Sequence, residues 1–287
     1  MIEAIEELKA QLGQNGYLTD DSLAAALYLA EKLEKPLLLE GPAGVGKTEL
    51  AKAWSRLRKR RLIRLQCYEG LDESKALYEW NYQKQLLYIQ IAALTEKGWE
   101  TGRKQIFDQE FLLKRPLLSA LTSPEPVVLL IDEIDKSDQE FESFLLEALS
   151  DWQVTIPELG TISAVTRPYV VLTSNSTREL GDALRRRCLH FNIDYPEFER
   201  ELAIVELNAP DIDRKFASQL VEFVQNIRKQ ALKKPPSVTE TIDWVASMTL
   251  LGSELTTDTV RATLSALLKY TKDRELVNDK LPFLLKP

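Results

Sequence analysis

Apolar and polar positions along this chain follow one pattern up to about residue 195 and another beyond it. In the first part five short strand-like runs stand out: Pro36 to Leu39, Leu62 to Cys67, Val127 to Ile131, Tyr169 to Thr173 and Leu189 to Ile193. They alternate with segments of helical spacing, as in a parallel α/β sheet. The third and fourth runs are almost continuously apolar and are expected to be central strands covered on both faces. After Asp194-Tyr195-Pro196 the strand-like runs stop. Helical patterns replace them at Phe216 to Leu232, Val238 to Leu251 and Thr257 to Tyr270. The expected organisation is an α/β core of five parallel strands flanked by helices over 1–195, followed by an all-helical domain over 196–287. Between the third and fourth runs, Gln153 to Ile162 alternates, turns and alternates again, predicting a hairpin near 153–165.

Composition narrows the class. A length of 287 residues exceeds one average domain. The net charge of −7 argues against broad binding to nucleic acid or an anionic membrane. No apolar run approaches the ~18 residues of a membrane span, and Met1 to Ala10 reads as an acidic amphipathic helix without the regions of a signal peptide. Cys67 and Cys188 lack CxxC spacing, which fits a reducing cytoplasm and gives no metal signature. His190, the single histidine, cannot build a metal cluster or a Ser-His-Asp triad alone and reads as structural.

Directly after the first run, Gly41 to Thr48 read Gly-Pro-Ala-Gly-Val-Gly-Lys-Thr, a complete GxxxxGK[ST] phosphate-binding loop between a strand and a helix. The turn leaves backbone N–H groups pointing inward, where they and the helix N-terminus cradle phosphate oxygens. The candidate binding stretch is Gly41, Pro42, Ala43, Gly44, Val45, Gly46, Lys47, Thr48 and Glu49. Lys47 would reach the β and γ phosphates and Thr48 would offer a hydroxyl to Mg²⁺. Leu50, Ala51, Trp54 and Leu57 continue at helical spacing.

The third run ends in Asp132-Glu133. Alone, this pair reads as the opening of a solvated helix. Coupled to a phosphate loop it reads as a Walker B pair, with Asp132 holding Mg²⁺ and Glu133 polarising the attacking water. The fourth run ends Thr173-Ser174-Asn175. Asn175 is either a turn residue or an amide sensor near the γ-phosphate. Arg185-Arg186-Arg187 precede the fifth run, either as cations at a solvated helix end or with one of them as an arginine finger offered to a neighbouring subunit.

In order and spacing these elements resemble the AAA+ ATPases. The hairpin places the resemblance in the branch containing MoxR proteins and the magnesium chelatase motor subunit, and it makes Arg187 the first choice for the finger, with Arg186 open because Cys188 follows. Leu65 to Asp72, Ala76 to Tyr82 and Pro236 to Trp244 look like the MoxR subgroup associated with maturation of carbon monoxide dehydrogenase-type molybdenum hydroxylases. The resemblance implies a cytoplasmic, ATP- and Mg²⁺-dependent, chaperone-like motor. It would form a homo-oligomeric, hexameric ring acting on a client metalloenzyme beside a von Willebrand factor A-type partner, with a helical lid and no nucleic-acid ligand. It also implies a helix-2 insert near 71–108, where Tyr78, Trp80 and Tyr82 either face a pore or pack on their own helices. Many MoxR proteins carry a lid arginine as sensor 2, where this chain has Ser237-Val238-Thr239-Glu240. Gly16-Tyr17-Leu18 would line an adenine pocket by the same analogy. A nucleic-acid-associated motor would show a basic face, and the Arg58 to Arg61 cluster reads as a solvated helix end. A non-hydrolysing nucleotide scaffold is disfavoured by Glu133 and Asn175.

Overall fold

The structure is a computed structural model that describes residues 2–93, 106–252 and 254–285. Five strands build the main sheet: β1 (Leu37–Glu40), β2 (Leu62–Gln66), β5 (Val128–Asp132), β8 (Tyr169–Ser174) and β9 (Leu189–Asn192). Their order is β2-β5-β8-β1-β9, which makes each connection between sequential strands a crossover or a return across the sheet. Burial follows position. All of β1 and β5, and β8 from Val170 onward, are buried, because helices cover both faces, whereas β2 and β9 at the edges are mostly half-buried or exposed. The expected fold class, a parallel five-stranded α/β sheet with a helical C-terminal region, is the one found.

Two antiparallel strand pairs stand apart from this sheet. β3 (Tyr78–Trp80) pairs antiparallel with β4 (Leu112–Lys114), and β6 (Gln153–Ile156) with β7 (Gly160–Ser163), in the register Val154↔Ile162. Tyr78 is half-buried and Trp80 buried, edge-on to Tyr78 and Phe107, while Tyr82 is exposed at the start of the helix Tyr82–Ala93. Two of these three aromatics therefore pack within the domain. Within the stretch near 71–108, residues 94–105 lie outside the described residues.

The chain forms two compact units that interleave in sequence. One comprises Met1–Asp21, Gly41–Leu50 and Asn192–Pro287, the other Ser22–Glu40 and Ala51–Phe191. The core of the second lies under the sheet and includes Leu38, Leu129, Ile131, Leu172, Leu184 and Cys188. The first contains the helices Phe198–Asn208, Arg214–Arg228, Val238–Leu250, Thr257–Leu267 and Thr271–Leu284. Leu220, Val224, Trp244, Met248, Leu264 and Val277 meet at its centre, with the Phe223 and Trp244 rings 5.4 Å apart. The helix expected to reach Leu232 stops at Arg228. Beyond it the N–H groups of Lys233 and Lys234 donate to the buried Asp273 carboxylate at 2.8 and 3.1 Å, which draws the chain out of the helix before Pro235-Pro236.

Candidate functional site

The phosphate loop follows β1 without a gap, and its helix begins at Lys47. Gly41 and Gly44 adopt φ of +145° and +74°, which side chains rarely tolerate. Space excludes them too. A Cβ on Gly41 would lie 1.9 Å from the Ile193 carbonyl oxygen, and one on Gly44 would lie 2.5 Å from Cβ and Oγ of Ser237. The loop is thus seated against Ile193 and against Ser237, the cap of the helix Val238–Leu250. Ser237 and Glu240 form a reciprocal capping box, Glu240 N donating to Ser237 Oγ at 3.3 Å and Ser237 N to Glu240 Oε2 at 2.7 Å. Lys47 is buried, and its Nζ donates to the carbonyls of Gly41 and Pro42 at 2.6 and 2.7 Å. Thr48 and Glu49 occupy the first helical turn, half-buried; Pro42, Val45 and Gly46 are half-buried, and Ala43 and Gly44 exposed. Buried Tyr17 lies 3.5 Å from where a Cβ on Gly46 would sit. Burial raises its hydroxyl pKa well above the usual tyrosine value, Arg200 pulling the other way and Asp20 and Glu49 adding to the rise, so Tyr17 stays neutral.

In the second unit the carboxyl ends of the strands line up: Gln66 pairs with Asp132, and Glu40 with Ser174. Asp132 is buried at the end of β5, where its carboxylate accepts from the hydroxyl of Thr173 on β8 and from Arg64 Nη2 on β2. The Thr173 hydroxyl in turn accepts from the N–H of Glu133 at 2.9 Å. That bridge spans a kink, because Glu133 sits in the left-handed region at φ 57°, ψ 51°. The kink turns the Glu133 side chain out of the strand to meet Asn175 Nδ2 at 3.2 Å, Gln66 Nε2 at 2.8 Å and Lys136 Nζ. Asn175 is held from behind. Its N–H donates to Asp135 Oδ1 at 3.1 Å, and Asp135 also accepts from the N–H and hydroxyl of Thr177 at 3.0 and 2.6 Å. Burial alone would raise the Asp135 pKa, but these hydrogen bonds outweigh it and hold the carboxyl below its usual value. Nearby, burial and the charges of Asp132, Asp135 and Glu133 push the Cys67 thiol up to about 12.

The structure thus gathers Asp132, Glu133 and Asn175 into one hydrogen-bonded group, and seats the loop glycines and Lys47 in another with Tyr17, Ile193 and Ser237. The arginines separate by role. Arg185 donates to Glu40, whereas Arg186 and Arg187 are exposed at the end of the helix Asp182–Arg187. His190 also meets Glu40, which agrees with its reading as structural. In the basic stretch Arg58 pairs with Glu31, and the half-exposed Arg64 reaches Asp132. Thr173, Gln66, Arg64, Ile193 and Glu40 are neighbours that sequence reasoning gave no role, whereas Tyr17 was expected by family analogy. Thr173, Gln66 and Glu40 carried a signal, as polar residues at or next to the ends of strand-like runs.

The residues fit a magnesium nucleotide. The loop is a cradle that two Cβ atoms would fill, and the Thr48 hydroxyl and the Asp132 carboxylate are each oxygen donors of the hard kind that Mg²⁺ prefers. Among the described residues no group of three His, Cys, Asp or Glu side chains could hold a metal, so such an ion would depend on phosphate oxygens and water as well.

A family model described as AAA domain, dynein-related subfamily, matches residues 36–188, more than half of the chain. A protein of Staphylococcus epidermidis (strain ATCC 12228) named only as uncharacterized is 24% identical over 204 residues, covering 69% of this chain and 70% of that protein. The chaperone protein ClpB of Chlamydia trachomatis is 25% identical over 213 residues, 72% of this chain but 21% of ClpB. Among solved structures, the RuvB Holliday junction branch migration motor of Thermotoga maritima is similar at a TM-score of 0.47 and 19% identity, over 91% of this chain and 69% of that one.

Proposed function

The chain belongs to the AAA domain family, dynein-related subfamily, and from that premise we propose that it hydrolyses ATP with Mg²⁺ to drive a chaperone-like motor. The observation that carries the reading is the geometry around Glu133. A carboxylate is turned out of the end of β5 and bonded at 3.2 Å to the amide of Asn175, in a chain with a complete phosphate loop after β1. Such a pair suits the orientation of an attacking water. Lys47 would leave the loop carbonyls to bind β- and γ-phosphate oxygens, the loop N–H groups from Gly41 to Thr48 would cradle them, and Thr48 and Asp132 would hold the ion. Mg²⁺, when bound, supplies charge neutralisation between the β and γ phosphates. Glu133 would accept hydrogen bonding from the water, and Asn175 would fix the carboxylate and sense the γ position. Arg187, exposed at its helix end, would complete the site of a neighbouring subunit in a homo-oligomeric, hexameric ring. Fingers of this kind are worth about 10³ to 10⁵ in rate.

In this proposal residues 1–195 act as the nucleotide-binding core and 196–287 as a lid, with Ser237 in the place of a lid arginine. The MoxR-like stretches at 65–72, 76–82 and 236–244 support remodelling of a metalloenzyme client in the cytoplasm, beside a von Willebrand factor A-type protein. The likeness to a chaperone supports the same class of work. No described helix is long and apolar enough to cross a membrane. The test is ATP hydrolysis measured against protein concentration, with mass followed by light scattering. Specific activity should rise as the oligomer forms. Activity independent of concentration, from a species that stays monomeric, would refute the shared site.

A further inference from the structure

Glu40 is the last residue of β1 and the one immediately before Gly41. Leu37, Leu38 and Leu39 precede it, so a fourth leucine would serve the strand as well without placing an anion beside a phosphate loop. The carboxylate is nevertheless there and buried. Its Oε2 is met from two sides, by Arg185 Nη2 and by His190 Nε2. These donors bracket Arg186 and Arg187. Leu184 and Cys188 are anchored in the core, and the N–H of Leu189 donates to the Pro36 carbonyl at 2.8 Å at the other end of β1. The segment from Leu184 to His190 is therefore fastened at three points to β1 and the residue just before it, with Arg186 and Arg187 exposed between the fastenings. The Arg185 and His190 side chains are 40% and 42% exposed, so the pairings add little to stability. They set a position.

We propose that Glu40 is a positioning residue for the arginine finger. It clamps the segment presenting Arg186 and Arg187 to a neighbouring subunit. The inference rests on the shared-site reading above, and subunit mixing separates the two. An Arg186→Ala/Arg187→Ala chain keeps its own site and offers no finger, while a Glu133→Gln chain offers a finger and has no working site. An equal mixture of the two should recover ATP turnover. Adding Glu40→Ala to the Glu133→Gln chain should then lower the recovered rate about 10²-fold with KM for ATP unchanged, the usual loss for a catalytic group misplaced by about 1 Å. The same substitution in the chain without a finger should leave the recovered rate intact. Glu40→Gln should fall between, and Arg185→Ala, on the solvent side of the clamp, should reproduce the loss even where Glu40→Ala folds poorly. Loss through the fingerless chain, through both chains or through neither overturns the inference and leaves the shared site standing. No recovery in the parental mixture overturns both.

Discussion

Replacing Arg228 with methionine tests how the helical region is held together. Arg228 and Glu201 form a buried pair, with side chains 7% and 0% exposed. Glu201 accepts from Arg228 Nη1 and Nη2 at 2.5 and 2.6 Å and from Gln225 Nε2 at 2.6 Å. Arg228 uses its remaining Nε–H on the Pro236 carbonyl at 2.8 Å, and its guanidinium stacks 4.6 Å from the Tyr195 ring centre. Arg228→Met keeps the apolar stem but strands a buried carboxylate with only the neutral donors Gln225 and Thr241, whose hydroxyl meets Glu201 at 3.0 Å. Breaking a buried pair from one side costs about 3–5 kcal/mol. At ~2–4 °C per kcal/mol for a domain of this size the melting temperature should fall by roughly 10 °C. Urea unfolding followed by circular dichroism, extrapolated linearly to water, gives the free energy. The double variant Glu201→Met/Arg228→Met removes both charges and should recover most of the loss, since apolar replacement of a whole buried pair is often neutral. A loss below about 1 kcal/mol in the single variant, or a double variant as weak as the sum of the singles, would refute this reasoning. Because Arg228 also fixes Pro236, next to the Ser237 that abuts Gly44, the single variant should weaken nucleotide binding too, readable by calorimetric titration.

Glu133→Gln should retain ATP binding and lose phosphate release in single-turnover assays, and unchanged release would remove Glu133 from the chemistry. Gly44→Ala meets both a left-handed backbone, worth about 1–2 kcal/mol, and Ser237, so it should abolish nucleotide binding. Adding Ser237→Gly, which costs the helix cap only a few tenths of a kcal/mol, should restore part of that binding if the contact matters. Burial pushes both Cys67 and Cys188 up to about 12, so neither should react with iodoacetamide at pH 8 in the folded protein. Both should react in urea, where their pKa returns to about 8.5, and rapid labelling of the native protein would contradict the burial.

Strand positions were legible because buried parallel strands need unbroken apolar runs, and the phosphate loop because its glycines and lysine are fixed by local backbone geometry. Partners were not. Gln66 meets Glu133 across 67 residues of sequence, and Arg185 meets Glu40 across 145. Such pairs depend on strand order, which hydrophobic periodicity does not encode. The left-handed turn at Glu133 was equally hidden, since nothing local in Ile131-Asp132-Glu133-Ile134 demands it and the Thr173 hydroxyl that supports it arrives from β8. The end of the helix at Arg228 was missed for a similar reason, because the Asp273 carboxylate that diverts the chain lies some forty residues onward.

That turn has a consequence for engineering. A glutamate at φ 57° carries a backbone penalty on the order of 1 kcal/mol that glycine would not. A library of this chain ranked only by heat resistance should therefore enrich glycine or asparagine at position 133, and its most durable members would be discarding the residue on which turnover is proposed to depend. Directed evolution of a hardier variant would need to score hydrolysis and melting in the same round.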